Sequence, residues 1–179
     1  MKYVALLRGI NVGGNNIIKM ADLKAVFERA GYTGVITFIQ SGNVIFNSGL
    51  QDKAKIVEHL ETVLSKAFSY SSKVVIRSHK EMRTILSGVP STWVKENDLR
   101  CYITFVREPV TVEEVASQVE IHDDIDFLHS GPGVLYMSTK MDGLTKSKFS
   151  KFIGKKTYKD VTMRNFKTTR MILEIMDTT

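Results

Sequence analysis

What most restricts the fold of this chain is a switch of hydrophobic period, from about two residues to about 3.6 and back. It runs through residues 2 to 78 and recurs over residues 100 to 163. Residues 2 to 7 (KYVALL) form a near-continuous apolar run suited to a central strand. Asp22 to Tyr32 places Leu23, Val26, Phe27 and Ala30 at helical spacing, with Gly31 suited to a left-handed C-terminal position. VITFIQ and NVIFNS read as two strands turned at Ser41-Gly42. Residues 52 to 68 give a second amphipathic helix through Ile56, Leu60, Val63, Leu64 and Ala67, and KVVIRS closes the set as a strand. The order is β-α-β-β-α-β.

The second half repeats that order without repeating the letters. A helical segment (His79 to Leu86) and a linker from Pro90 to Asp98 lead into the strand RCYITFV, and Thr111 to Gln118 is a short helix. Residues 124 to 129 and 134 to 139 form a hairpin across Gly131-Pro132-Gly133. The spacing predicts a helix over Lys146 to Ile153, a short strand over Lys159 to Met163, and a tail helix from Arg164 to Met176. Phe166, Thr169, Ile172, Leu173 and Met176 form the tail's apolar face. The expectation is an α+β fold of two ferredoxin-like subdomains. The boundaries expected are 1–80 and 100–163 for the subdomains, 81–99 for a helical linker and 164–179 for a C-terminal helix.

Composition narrows the function. The chain has 179 residues, 43% apolar and 25% charged, enough for one domain or two small ones. No apolar run approaches the roughly 20 residues that span a bilayer, and Met1-Lys2 passes directly into a strand, so a cytoplasmic location with no membrane partner is expected. The single cysteine, Cys101, lies in an apolar strand and reads as a buried structural thiol. The net charge is +6, yet residues 140 to 170 alone hold ten Lys or Arg against Asp142 and Asp160. Such segregation points to an anionic partner, a small molecule or a nucleic acid.

Three stretches carry candidate chemistry. The first, RGINVGGNN, has the glycine spacing of a phosphate-binding P-loop at Gly9 and Gly14 but Asn15 and Asn16 where that loop needs Lys and a hydroxyl. Walker-type hydrolysis is therefore not expected. A glycine-rich concavity that accepts an anion beside Arg8 is one reading, and a tight connection with capping asparagines is the other. In QSGNV, Gln40, Ser41 and Asn43 read as hairpin-turn chemistry or as a hydrogen-bonding patch, since the strand-to-helix context of a nucleophile elbow is missing. In TMRNFKTTR, Thr162 is placed to cap the last helix, leaving Arg164 and Asn165 in its first turn beside the free backbone donors, where an acid side chain or a bound anion would offset the arginine. The basic stretch KSKFSKFIGKK reads as a core-packing helix, with Phe149, Phe152 and Ile153 on one face, or as an anion-binding surface. HDDID, with His129 downstream, reads as a polar strand face more simply than as a metal site.

ALLRGINVGG, IQSGNVIF and TMRNFKTTRMIL, in this order, resemble the bacterial domain-of-unknown-function family 1697. The resemblance implies an α+β fold of two ferredoxin-like subdomains and a cytoplasmic protein without an assigned activity, and it brings no catalytic residue or cofactor. Arg8, Gly9, Asn11, Gly13, Gly14, Asn15, Gln40, Ser41, Asn43, Arg164 and Asn165 are expected to line one ligand site, with no metal. A phosphate-bearing ligand, nucleotide or nucleic acid, is the first expectation. An enzyme acting on a small anionic substrate and a protein-interaction scaffold are its rivals.

Overall fold

In the computed structural model, which describes residues 1–95 and 98–179, apolar alternation along eight strands is spent on two separate four-stranded antiparallel sheets. The chain divides into two units, one formed by Met1–Met82 with Met171–Thr179, the other by Arg83–Arg170.

In the first unit, β1 (Lys2–Leu7), β2 (Thr33–Phe38), β3 (Asn43–Asn47) and β4 (Val74–Ser78) take the order β2-β3-β1-β4. β1 pairs antiparallel with both β3 and β4, Ala5 facing Val44 on one side and Ile76 on the other. Helices α1 (Met20–Arg29) and α2 (Lys53–Phe68) supply the crossovers. α1 starts and ends slightly before the sequence-based bounds. α2 begins where Asp52 accepts hydrogen bonds from the backbone N–H groups of Ala54 and Lys55, the expected behaviour of an N-cap carboxylate. The core under the helices centres on Phe46, whose ring lies 4.8 Å from Tyr32, 5.4 Å from Phe27 and 5.9 Å from Tyr3. β2 stops at Phe38 instead of running to Gln40, because Ile39 turns into the left-handed region at φ 48°.

The second unit has β5 (Leu99–Val106), β6 (Asp126–Gly131), β7 (Val134–Lys140) and β8 (Val161–Asn165) in the corresponding order β6-β7-β5-β8. Its first crossover is α5 (Val112–Ala116), closed by a capping box between Thr111 and Glu114. The second crossover departs from expectation. Three 3-10 turns, Met141–Lys146, Phe149–Gly154 and Lys156–Asp160, replace the helix read over Lys146 to Ile153. Ser147, extended at ψ 136°, breaks the path, and the carboxylate of Asp126 draws the segment to β6 by accepting from Ser147 Oγ (2.6 Å) and Lys148 N (2.9 Å). Phe152 is buried as expected, but Ile153 faces solvent.

α3 (His79–Ser87) follows β4, and a helical turn, α4 (Thr92–Lys95), occupies part of the stretch read as a linker; Glu96 and Asn97 of that linker lie outside the described residues. The last strand and helix are displaced from their expected positions: β8 ends at Asn165 and α6 spans Phe166–Thr178, so Thr162, Arg164 and Asn165 are strand residues. α6 starts in the second unit and finishes in the first, where Ile172 and Met176 are buried and Met176 O accepts from Lys2 Nζ (2.8 Å).

Candidate functional site

The opening loop leaves β1 between two neighbours. Leu7 N donates to Gly42 O at 2.8 Å and Arg8 N to Lys73 O at 2.9 Å. At the loop's tip Gly13 (φ 59°) and Gly14 (φ 78°) form a two-residue turn in which Asn15 N donates to Val12 O. Positive φ at both central positions defines the primed turn that glycine adopts without steric cost. α1 starts only at Met20, so these glycines do not open a helix, which settles the difference from a P-loop in geometry as well as in letters. The loop is closed across its base, where Asn16 Nδ2 donates to Gly9 O (2.8 Å) and Asn11 N to Asn16 O (3.2 Å).

Asn11 joins this loop to the second motif. Held at φ 53°, its side chain accepts from Ile18 N (2.8 Å) and donates to both Ile18 O (3.0 Å) and Gln40 O (2.9 Å). Asparagine tolerates the left-handed conformation and its amide imitates a peptide group, so one residue stitches two loops as a strand partner would. Gly42, at φ 73°, lets them close: an added Cβ would stand 2.8 Å from Ile10 Cδ1 and 2.9 Å from Leu7 Cβ. Asn43, fully buried, donates to Phe38 O (3.0 Å) and Ser41 Oγ (2.9 Å).

The sequence-predicted residues of the first unit thus divide by role. Asn11 and Asn43 brace the backbone. Gly9, Gly13, Gly14, Asn15 and Gln40 are exposed along the joined loops, and Arg8 and Ser41 are half-buried beside them. Among the described residues, the N–H groups of Gly9, Gly13 and Gly14 have no protein acceptor. Sequence reasoning missed three apolar side chains on the same loops, Val12, Ile17 and Ile39, which are 65%, 78% and 47% exposed. Their signal was the apolar letters inside otherwise polar turns. Ile39 adds a second signal available only in three dimensions, since a β-branched residue at positive φ stores on the order of 1–3 kcal/mol of strain.

Arg164 and Asn165 lie in the second unit, at the end of β8. Arg164 stands opposite Ile103, with only 7% of its surface exposed, and Nη1 donates to Thr162 Oγ1 (2.7 Å) and Met163 O (2.9 Å). Burial lowers its pKa to about 10, so the guanidinium stays charged at neutral pH. Asn165, not Thr162, caps α6: its Oδ1 accepts from Lys167 N (2.9 Å), and its carbonyl accepts from Thr169 Oγ1 (3.1 Å).

The basic segment of the second unit is partly answered by that unit's own acids. Glu120 accepts from Lys155 Nζ (2.9 Å) and Lys151 Nζ (3.3 Å). Asp126, from the HDDID stretch, is buried, and besides Ser147 and Lys148 it accepts from His122 N and Thr139 Oγ1. Burial would push its carboxyl up, but these donors, Ser147 foremost, hold it below the usual carboxylate value. No group of three or more His, Cys, Asp or Glu is placed to hold a metal ion among the described residues.

Two like sheets of a single strand order, with helices, define an α+β protein of two similar subdomains. The chain belongs to the family described as protein of unknown function (DUF1697), whose model matches residues 1–136. Among solved structures it is similar to the conserved bacterial protein SP0830 from Streptococcus pneumoniae, at 29% identity and a TM-score of 0.85 over 97% of each chain. No curated protein matches it.

Proposed function

We propose that the chain binds a phosphate-bearing ligand, a nucleotide or nucleic acid, at the joined RGINVGG and QSGN loops. The carrying observation is that Asn11 ties the two loops together while the N–H groups of Gly9, next to Arg8, and of Gly13 and Gly14, at the loop's tip, keep no protein acceptor among the described residues. Peptide N–H groups without a protein acceptor and a nearby guanidinium suit a phosphate, and loops already tied together lose less entropy on binding. A cytoplasmic location belongs to the same reading; no helix among the described residues is long and apolar enough to cross a membrane.

One observation favours the scaffold reading instead. The amides of Asn11, Asn16 and Asn43 are all spent on backbone carbonyls of these same two loops, as they would be if the motifs only held the fold. A thermal-shift series with mononucleotides, sugar phosphates and short RNA and DNA, run on wild type and Arg8→Gln, separates the two. A ligand at 100 times its Kd adds about 2.7 kcal/mol to native stability, a shift of several degrees, and a multi-phosphate ligand loses affinity steeply with salt. The binding reading expects a shift in wild type that Arg8→Gln abolishes. No shift in wild type, together with a lowered Tm in Arg8→Gln, leaves the scaffold.

A further inference from the structure

α1 and α2 carry one pattern in the same helical frame: Val26-Phe27-Glu28-Arg29-Ala30 and Val63-Leu64-Ser65-Lys66-Ala67, each Val-x-x-basic-Ala. In both, the second residue, Phe27 or Leu64, is fully buried in the core. The valine and alanine, four residues apart on one face, line a shared groove, Val26 at the edge of the core and Ala30 and Val63 packed against it. Val26, Ala30, Val63 and Ala67 form its apolar floor and Arg29 and Lys66 its cationic flanks, around a space of about 390 Å³. Small alanines keep the groove open. Arg29 and Lys66 make no ion pair among the described residues, whereas Lys24 of the same α1 is paired with Glu28.

We propose that this groove binds an aliphatic carboxylate, its alkyl chain along the valine–alanine floor and its head between Arg29 and Lys66. Charge complementarity selects an anion, and the floor selects a saturated chain over a polar ligand. A groove of this size, open to solvent, suits a medium-length alkyl chain rather than a bulky ring system. A protein helix is excluded by size: a stable interface covers about 800 Å² per partner, far beyond four small side chains.

Decanoate below its micellar concentration is titrated into the full chain while the methyl signals of Val26, Ala30, Val63 and Ala67 are followed by NMR. Those signals are expected to shift saturably, with Kd falling about two- to fourfold for each CH2 added from hexanoate to decanoate. Arg29→Gln/Lys66→Gln, which alters only exposed side chains, is expected to weaken decanoate about tenfold or more and leave decanol unchanged. Ala30→Leu/Ala67→Leu fills the floor and is expected to abolish binding of both. The proposal is overturned if decanoate leaves these methyls unmoved, if the charge-removing pair binds it as wild type does, or if decyltrimethylammonium binds equally well.

Discussion

The two units build the same sheet with opposite kinds of connection. In the first, the second crossover is α2, sixteen residues long, whose backbone groups satisfy one another and whose N-terminus is capped by Asp52. In the second, the corresponding crossover is three short 3-10 turns, the break between the first two held by a carboxylate from a neighbouring strand. Strand order is common to both, so it is set by pairing and apolar alternation along the strands; the crossover needs only to span the sheet and cover its apolar face. The difference lies in where stability is concentrated. A helix spreads it over many residues, and the 3-10 path gathers it on Asp126.

Substituting that residue is the strongest way to break the comparison. Asp126→Ala leaves two hydroxyls and two N–H groups without their acceptor and is expected to cost about 3–5 kcal/mol in chemical denaturation. Asp52→Ala, its counterpart in the first unit, is expected to cost about 1 kcal/mol. Equal losses would refute the contrast. The same carboxylate sets a pH dependence. Because its folded pKa is lowered, its contribution is complete above the ordinary value of 3.8 and lost as pH falls through the folded value. Acid unfolding of wild type should therefore include a step below about pH 4 that Asp126→Asn lacks.

Between these extremes stands Gly42→Ala, which combines positive φ with contacts to Ile10 and Leu7; a loss of about 2–3 kcal/mol is expected from thermal denaturation. The smallest effect has the opposite sign. Ile39→Gly relieves a left-handed β-branched residue and should raise stability by up to about 1 kcal/mol; a measured loss would mean that the exposed side chain is held by packing.

Much of the first unit was legible because its signals are local. The apolar runs of β1, β3 and β4 and the heptad-like face of α2 need no distant partner to be read. In the second unit, Phe149 and Phe152 are three residues apart, a spacing that suits a 3-10 turn as well as an α-helix. What decides between them is Asp126, more than twenty residues upstream. The start of α6 was misplaced for a related reason. Thr162 and Asn165 are both good caps by composition, and only the pairing of β8 with β5 down to Asn165 rules out the earlier one. All three motifs are expected at one site from the sequence, but nothing in the letters says that Asn11 ties the first two together by donating to a carbonyl twenty-nine residues away.

α6 ends in a unit whose other residues are all encoded before Arg83. Ile172 and Met176, both fully buried, belong to that earlier unit, and the whole of the second unit is translated before them. The first unit is therefore complete only after the residues of the second have been made. A chain ended at Arg170 should leave the first unit loosened and more protease-sensitive than the full chain does.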